Sequence, residues 1–305
     1  MAAFMPHKRY FRIAGISVEV VSDLPFSSNT FDPKFDAFRI DGAGKDLVTL
    51  HHHFPPTPQP DFAQSREVYR KAPWAIFEVE NNWVYGEIVP QKGPLPFNRL
   101  AVFNQAYTQG HFYHDTAMKT HYLEGGLTSL TLLPTDQILF SQVLAGRNGC
   151  YLHAAGVIMN DKGYAFVGHS EAGKSTITRM LKNKGTVLCD DRIIVRKQPD
   201  GFYVHGTWSH GDIPDVSPAS APLAGIFFLH QSDVDHISKV ADRTAAMKCI
   251  LPCLIKPFVT ARWWHCMLDV VEEMTTHVPC YDLSFNKKGG IVDMIGAFPQ
   301  PNHDL

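Results

Sequence analysis

No long apolar run occurs in this sequence, and no stretch approaches the length needed to cross a bilayer as a helix, so no membrane partner is expected. Met1 to Tyr10 lack the apolar core of a secretory signal, and a cytoplasmic location is the expectation. An excess of one charge is missing too: 28 Lys and Arg stand against 30 Asp and Glu, for a formal net charge of −2. That balance gives no electrostatic footprint for nucleic acid. The six cysteines include no Cys-x-x-Cys pair, and several sit within apolar patterns, which argues against structural zinc and a disulfide scaffold. There is no internal repeat. What is there is an ordinary globular balance, 45% hydrophobic and 19% charged over 305 residues, enough for two domains with cores of their own.

The most informative stretch runs from Gly163 to Asp191. Within it Gly168, His169, Ser170, Glu171, Ala172, Gly173, Lys174 and Ser175 fit the spacing G-x-x-x-x-G-K-[ST], and Thr176 follows. In such a loop the glycines let backbone N–H groups close around phosphates, the lysine supplies a mobile charge and the hydroxyl serves Mg²⁺. The context agrees. Tyr164 to Val167 is an apolar run suited to a buried strand, Ile177, Met180 and Leu181 share a helix face, and Gly185 ends that helix. Thr186 to Cys189 then predicts a strand whose carboxyl end carries Asp190 and Asp191, where a Mg²⁺ ligand and a base are both useful. Upstream, Cys150 to Met159 followed by the turn Asn160 to Gly163 predicts a β-hairpin feeding the loop, with His153 on its first strand.

The first 130 or so residues read as β-rich. Tyr10 to Val21 gives one or two strands around Gly15, with Ile13, Ile16, Val18 and Val20 inward. Leu47 to His53, Leu100 to Tyr107 and Leu127 to Leu133 are further strands, and Phe54 to Ser65, with four prolines, is a loop. Trp74 to Val89 predicts a hairpin turning on Asn81-Asn82. Histidine is frequent here: His51, His52 and His53 in a row, then His111, His114 and His121. Strand alternation puts His51 and His53 on one face and His52 on the other, poor geometry for three ligands on one metal, so partly buried or surface histidines are expected.

Thr135 or Asp136 caps a helix to about Leu144, and the domain boundary is placed there, giving a β-rich domain 1–134 and a P-loop domain 135–305. Later, Gly225 to His230 reads as a strand and Asp242 to Leu251 as a helix stopped by Pro252. Phe258 to Thr276 reads as the best helix, with Val259, Trp263, Cys266, Met267, Val270, Val271 and Met274 on one face and Arg262 beside it. Pro279 to Phe285 gives a last strand and Ile291 to Phe298 a terminal helix.

A histidine strand running His153-Ala154-Ala155-Gly156, a hairpin into Gly168 to Thr176, and a strand ending in Asp190-Asp191 together resemble the HPr kinase/phosphorylase catalytic domain and its phosphoenolpyruvate carboxykinase relatives. The resemblance covers about half the chain, from Cys150 onward. It implies that Lys174 and Ser175 bind phosphate and Mg²⁺, that Asp190 is the catalytic carboxylate, that Asp191 is a metal ligand and that His153 lies beside the carboxylate. The chain departs from that family at Tyr203-Val204-His205-Gly206, where HPr kinases carry Glu-Ile-Arg-Gly. The loop Gly206 to Asp212 resembles that of peptide-tailoring kinases of the same superfamily.

The expected fold is therefore an α/β P-loop domain of the HPr kinase and carboxykinase type behind a β-rich domain. The expected activity is transfer of the γ-phosphoryl group of ATP, with Mg²⁺, to a hydroxyl on a peptide, a protein or a metabolite. A slow nucleotide-hydrolysing switch and a carboxykinase-like enzyme are the alternatives. The Asn-Lys-x-Asp pattern of GTPases is absent, as is an arginine and lysine set for a dicarboxylic acid. Oligomeric state, homo-oligomer included, is left open.

Overall fold

The computed structural model describes residues 7–58, 65–88, 97–131, 136–258 and 260–297. Residues 59–64 of the proline-rich segment, Val89, Leu132, Leu133, Thr135, Val259 and Phe298 lie outside the described residues. The chain divides into two compact units, Met1–Leu139 and Phe140–Leu305.

In the first unit β1 (His7–Ile13) and β2 (Ile16–Ser22) make a hairpin across Ala14 and Gly15, both with positive φ (49° and 77°). Ile13, Ile16, Val18 and Val20 are buried as their alternation predicts. β3 (Arg39–Ile40), β4 (Leu47–His53), β5 (Arg66–Lys71), β6 (Trp74–Val79), β7 (Asn82–Ile88), β8 (Phe97–Asn104) and β9 (Gln109–Tyr113) complete one nine-stranded sheet, in the order β3-β1-β2-β4-β9-β8-β7-β6-β5. Its middle strands β2, β4 and β9 run parallel. α1 (Thr116–Glu124) follows, capped by Asp115, whose carboxylate accepts the Met118 N–H at 2.8 Å.

Three expectations for this unit are corrected. The β6–β7 hairpin turns on Glu80-Asn81, because Val79 pairs with Asn82 and Glu80 takes the positive φ of 49°. Leu127 to Thr131 is a turn touching Phe31 by one bridge, since its backbone N–H groups find another acceptor: the Asp136 carboxylate takes those of Leu130 (2.8 Å) and Thr131 (2.9 Å). His52 is fully buried, stacked on Phe112 with ring centroids 4.9 Å apart. Its Nε2 donates to the Leu130 carbonyl and its Nδ1 accepts from His114 Nε2, each at 2.9 Å, and burial lowers its pKa to about 3, so the ring is neutral.

α2 (Asp136–Ala145) carries the chain from one unit to the next. The second unit contains β10 (Gly149–Leu152), β11 (Ala154–Met159), β12 (Lys162–Val167), α3 (Lys174–Leu181), β13 (Thr186–Cys189), β14 (Ile193–Gln198), β15 (Gly201–His205), β16 (Ser220–Gln231), β17 (His236–Lys239), α4 (Arg243–Ile250), α5 (Ala261–His277), β18 (Cys280–Phe285) and α6 (Ile291–Gly296). The twelve-residue β16 is its spine: its first residues pair antiparallel with β15, and the rest run parallel to β12 on one side and β18 on the other.

Alternation sorts these strands onto two cores. Ala165, Val167, Ile226 and Phe228 face the buried stripe of α5, which is Trp263, Met267, Val270, Val271 and Met274. Phe166, Phe227 and Leu229 face Ile177 and Leu181 of α3 and Ile291 and Ile295 of α6. A strand buried on both faces reads as a continuous apolar run, which is why Tyr164 to Val167 and Gly225 to Leu229 are so uniformly apolar. α5 begins three residues later than its apolar pattern suggests, because Thr260 caps it by accepting the Trp263 N–H at 3.2 Å. The molecule is mixed α/β with two large sheets, and no helix among the described residues is long and apolar enough to cross a membrane.

Candidate functional site

The loop Gly168 to Gly173 leaves the carboxyl end of β12, beside the carboxyl ends of the parallel strands β16 and β18, the usual place for a ligand in an open α/β sheet. Gln231 at the end of β16 donates to the Glu171 carbonyl, and Phe285 at the end of β18 lies against Gly173. Glu171 and Gly173 both take positive φ, 67° and 105°, so the chain turns sharply into α3. A Cβ on Gly173 would stand 2.6 Å from Phe285 Cζ, leaving glycine as the residue that fits both the backbone and the space. The Ala172 N–H closes the loop on the His169 carbonyl at 3.2 Å, while His169 and Ser170 are exposed at its tip.

Lys174, at the first position of α3, curls back and donates to the carbonyls of Gly168 (3.1 Å) and His169 (2.9 Å). Burial lowers its pKa, and Asp191 and Asp190 nearby only partly offset that. Ser175 donates to Asp190 Oδ2 at 2.9 Å. Asp190, 1% exposed, also accepts the N–H groups of Gly211 on Oδ1 (2.6 Å) and Ile213 on Oδ2 (3.1 Å). The segment after β15 is thus pinned onto this carboxylate, and a Cβ on Gly211 would crowd both aspartates at 3.2 Å. The sequence marks that segment as polar and gives no sign of whom it binds.

Asp191 differs from its neighbour. His153 Nε2 stands 2.9 Å from its Oδ1, and the Arg192 guanidinium pairs with Oδ2. Burial works against its ionisation, but the His153 hydrogen bond, Arg192 and Lys174 outweigh it and hold the pKa below the ordinary carboxylate value. The sharp turn that separates the two aspartates is made by Cys189, whose sulfur accepts the N–H groups of Asp191 and Arg192 at 3.5 Å. Burial pushes that thiol up to about 11.

Two sequence expectations are corrected here. His153 lies between β10 and β11 and not on a strand, since β10 pairs with β14 and β11 with β12 and β13. It meets Asp191, whereas Ser175 meets Asp190, so the hydroxyl and the imidazole are shared out in the opposite sense to the one the resemblance implies.

These groups surround a cleft of about 420 Å³ that also takes in Thr176, Arg179, Asp212, Gln231 and Lys287. The sequence places Thr176 directly after the motif and Asp212 in the polar loop, but it singles out neither Arg179, one helical turn beyond the loop, nor Gln231 and Lys287, which come from other elements. Arg262 is exposed near the start of α5 and does not line the cleft, and neither does His205, which is buried in β15. Chemically the cleft offers cations from Lys174, Arg179 and Lys287, the carboxylates of Glu171, Asp190, Asp191 and Asp212, and the hydroxyls of Ser170, Ser175 and Thr176. That set can hold an anion together with a hard cation.

A family model described as "ScmC: SynChlorMet cassette protein ScmC" matches residues 131–297, just over half of the chain. The chain belongs to the ScmC family. The match takes in the whole cleft of this ScmC member, from His153 to Lys287. No curated protein matches it. Among solved structures, the Hpr(Ser) kinase/phosphatase from Coxiella burnetii is similar, at 10% identity over 48% of this chain and 85% of that chain, with a TM-score of 0.29. A likeness that loose carries no argument about chemistry.

Proposed function

We propose that this ScmC-family chain is a phosphotransferase that uses ATP and Mg²⁺ to phosphorylate a hydroxyl acceptor, and that its second unit holds the site. The observation that carries the reading is the meeting, in one cleft, of a G-x-x-x-x-G-K-S loop with a pair of strand-end aspartates, Ser175 Oγ lying 2.9 Å from Asp190 Oδ2. The residues present fit the two groups. Lys174 has its ammonium parked on loop carbonyls, from which an arriving phosphate can draw it, and Ser175 with Asp190 is an all-oxygen pair of the kind a hard cation takes. Bound Mg²⁺ would supply charge neutralisation on the β- and γ-phosphates.

The hydrogen bonds divide the carboxylates between two tasks. Asp190, held by two backbone N–H groups and by Ser175, serves the metal side. Asp191 is the proton acceptor for the incoming hydroxyl: its lowered pKa keeps it ionised near neutral pH, and His153 and Arg192 fix its direction. This reverses the expected roles of the two aspartates. Arg179 and Lys287 stand at the cleft where phosphate charge would collect. Since the family is described as a cassette protein, the acceptor is to be sought among products encoded with it.

The test is label transfer from γ-labelled ATP, with Mg²⁺, to such products and to extract fractions. Wild type should label an acceptor, and Asp191→Asn should lower transfer by about 10² or more while ATP affinity holds within a few-fold. Asp190→Asn should instead raise the Mg²⁺ requirement. Label passing to water alone with every protein would reject the kinase in favour of a hydrolysing switch.

A further inference from the structure

The sheet of the first unit gathers donors that strand alternation alone does not predict. His51 and His53 lie on one face of β4, and β9 runs parallel beside it in a register that sets His111 opposite His51. On the other flank β2 is parallel too, with Val21 opposite His51. Asp23, two residues further on, therefore reaches the same face beside His53. His52 takes the opposite side and is occupied in the core. One ligand atom from each of His51, His53 and His111 lies within 4.8 Å of the others. Asp23 touches two of the three rings, Oδ1 at 2.9 Å from His51 Nε2 and Oδ2 at 3.3 Å from His53 Nδ1, while His53 Nε2 is 3.0 Å from His111 Nδ1.

We propose that His51, His53, His111 and Asp23 form a binding site for a divalent transition metal, zinc first among them. The donor chemistry selects the class: three imidazoles are a nitrogen set that suits zinc and its neighbours in the first transition row, whereas Mg²⁺ and Ca²⁺ require oxygen. Three histidines with one carboxylate complete the four positions a tetrahedral zinc takes, which makes the site structural. A metal would take one nitrogen from each ring, so His53, whose two nitrogens now meet Asp23 and His111, would give one to the metal and keep the other for a hydrogen bond. Three adjacent strands supply the ligands, so the frame is rigid before metal arrives. His111 is exposed and the His51 and His53 side chains are 24% and 14% exposed, leaving a way in from solvent. The ligands come from β4, β9 and the end of β2, so bound zinc would clamp the middle of the sheet.

The site is tested by zinc alone. The full chain, stripped with a chelator and kept in excess Mg²⁺ to occupy carboxylates elsewhere, is titrated with Zn²⁺ by calorimetry, and Co²⁺ is added separately for its visible spectrum. About one zinc per chain should bind, Co²⁺ should show intense tetrahedral bands, and His53→Ala and His111→Ala should each weaken zinc by about 10² or more, beyond the usual cost of outer-shell losses. His265→Ala on α5 should change nothing. Because His111 is exposed, His111→Gln keeps the fold and decides the matter if His53→Ala does not fold. No stoichiometric uptake would overturn the site, as would uptake that survives both the His111 substitutions, or a weak octahedral Co²⁺ spectrum. In any of those cases the four side chains are a hydrogen-bonded cluster and nothing more.

Discussion

Lys174 is the residue on which the proposed phosphate site depends most. It is 7% exposed, which for a lysine needs a reason, and its hydrogen bonds go to two carbonyls of its own loop and not to the core. Lys174→Ala should therefore abolish ATP binding by calorimetry and move the urea midpoint little. Unchanged affinity would remove the phosphate role. His205 behaves in the opposite way. It is buried in β15 at 4% exposure, its Nε2 has no hydrogen-bond partner, and burial, helped by Arg196, lowers its pKa to about 4. The folded value lies below the unfolded one of 6.5, so the unfolded chain binds more protons between the two. Its contribution is complete above the unfolded value and is lost as pH falls toward the folded one, at up to about 1.4 kcal/mol per pH unit. Urea midpoints should thus drop between about pH 7 and about pH 5, and His205→Gln should flatten the drop. An equal slope in the variant would show that other groups control it.

Among the elements, α5 and the loop before α3 are the most exposed to single substitutions. Trp263 fills the core between α5 and the sheet and donates from Nε1 to the Ser141 carbonyl at 3.2 Å. Trp263→Ala should cost about 3–5 kcal/mol in denaturant unfolding, whereas the adjacent Arg262→Ala on the exposed face should stay within about 0.5 kcal/mol. Similar losses for both would mean that the buried stripe of α5 is misassigned. Gly173→Ala is a different kind of break, since it forces a left-handed residue and a clash with Phe285 in the loop proposed to hold phosphate. It should destabilise by about 1–3 kcal/mol and weaken ATP binding far more than that figure implies.

Taken whole, the molecule carries its two proposed ligand sites in separate units with separate cores. Hydrogen exchange can therefore tell them apart. ATP with Mg²⁺ should slow amides of residues 163–181 and 211–213, and zinc should slow those of residues 47–53 and 109–113. At about 100 times Kd each ligand adds about 2.7 kcal/mol of protection to the unit that binds it. Protection by either ligand spread evenly over both units would contradict the division.

Much of this was legible along the chain. Hydrophobic runs and their periods identify β2, β4, β12, β13, β16 and α5, because a strand buried on two faces and a helix buried on one leave different spacings. The loop motif and the two aspartates are local in sequence, so their proximity needs little more than a short helix and a strand. Capping is partly legible: Asp242 marks the start of α4 as expected, but Thr260 is overlooked because the apolar pattern begins before it. Partnerships across long loops are not legible at all. Which aspartate His153 meets depends on a turn at Cys189 and on the split between β10 and β11, and Gly211 and Ile213 reach Asp190 from over twenty residues away. His111 joins His51 and His53 through the parallel register of β4 and β9, across a separation of 60 residues between His51 and His111. Alternation along one strand states which face a residue takes, whereas its neighbour on that face is set by sheet order, which depends on how the cores pack.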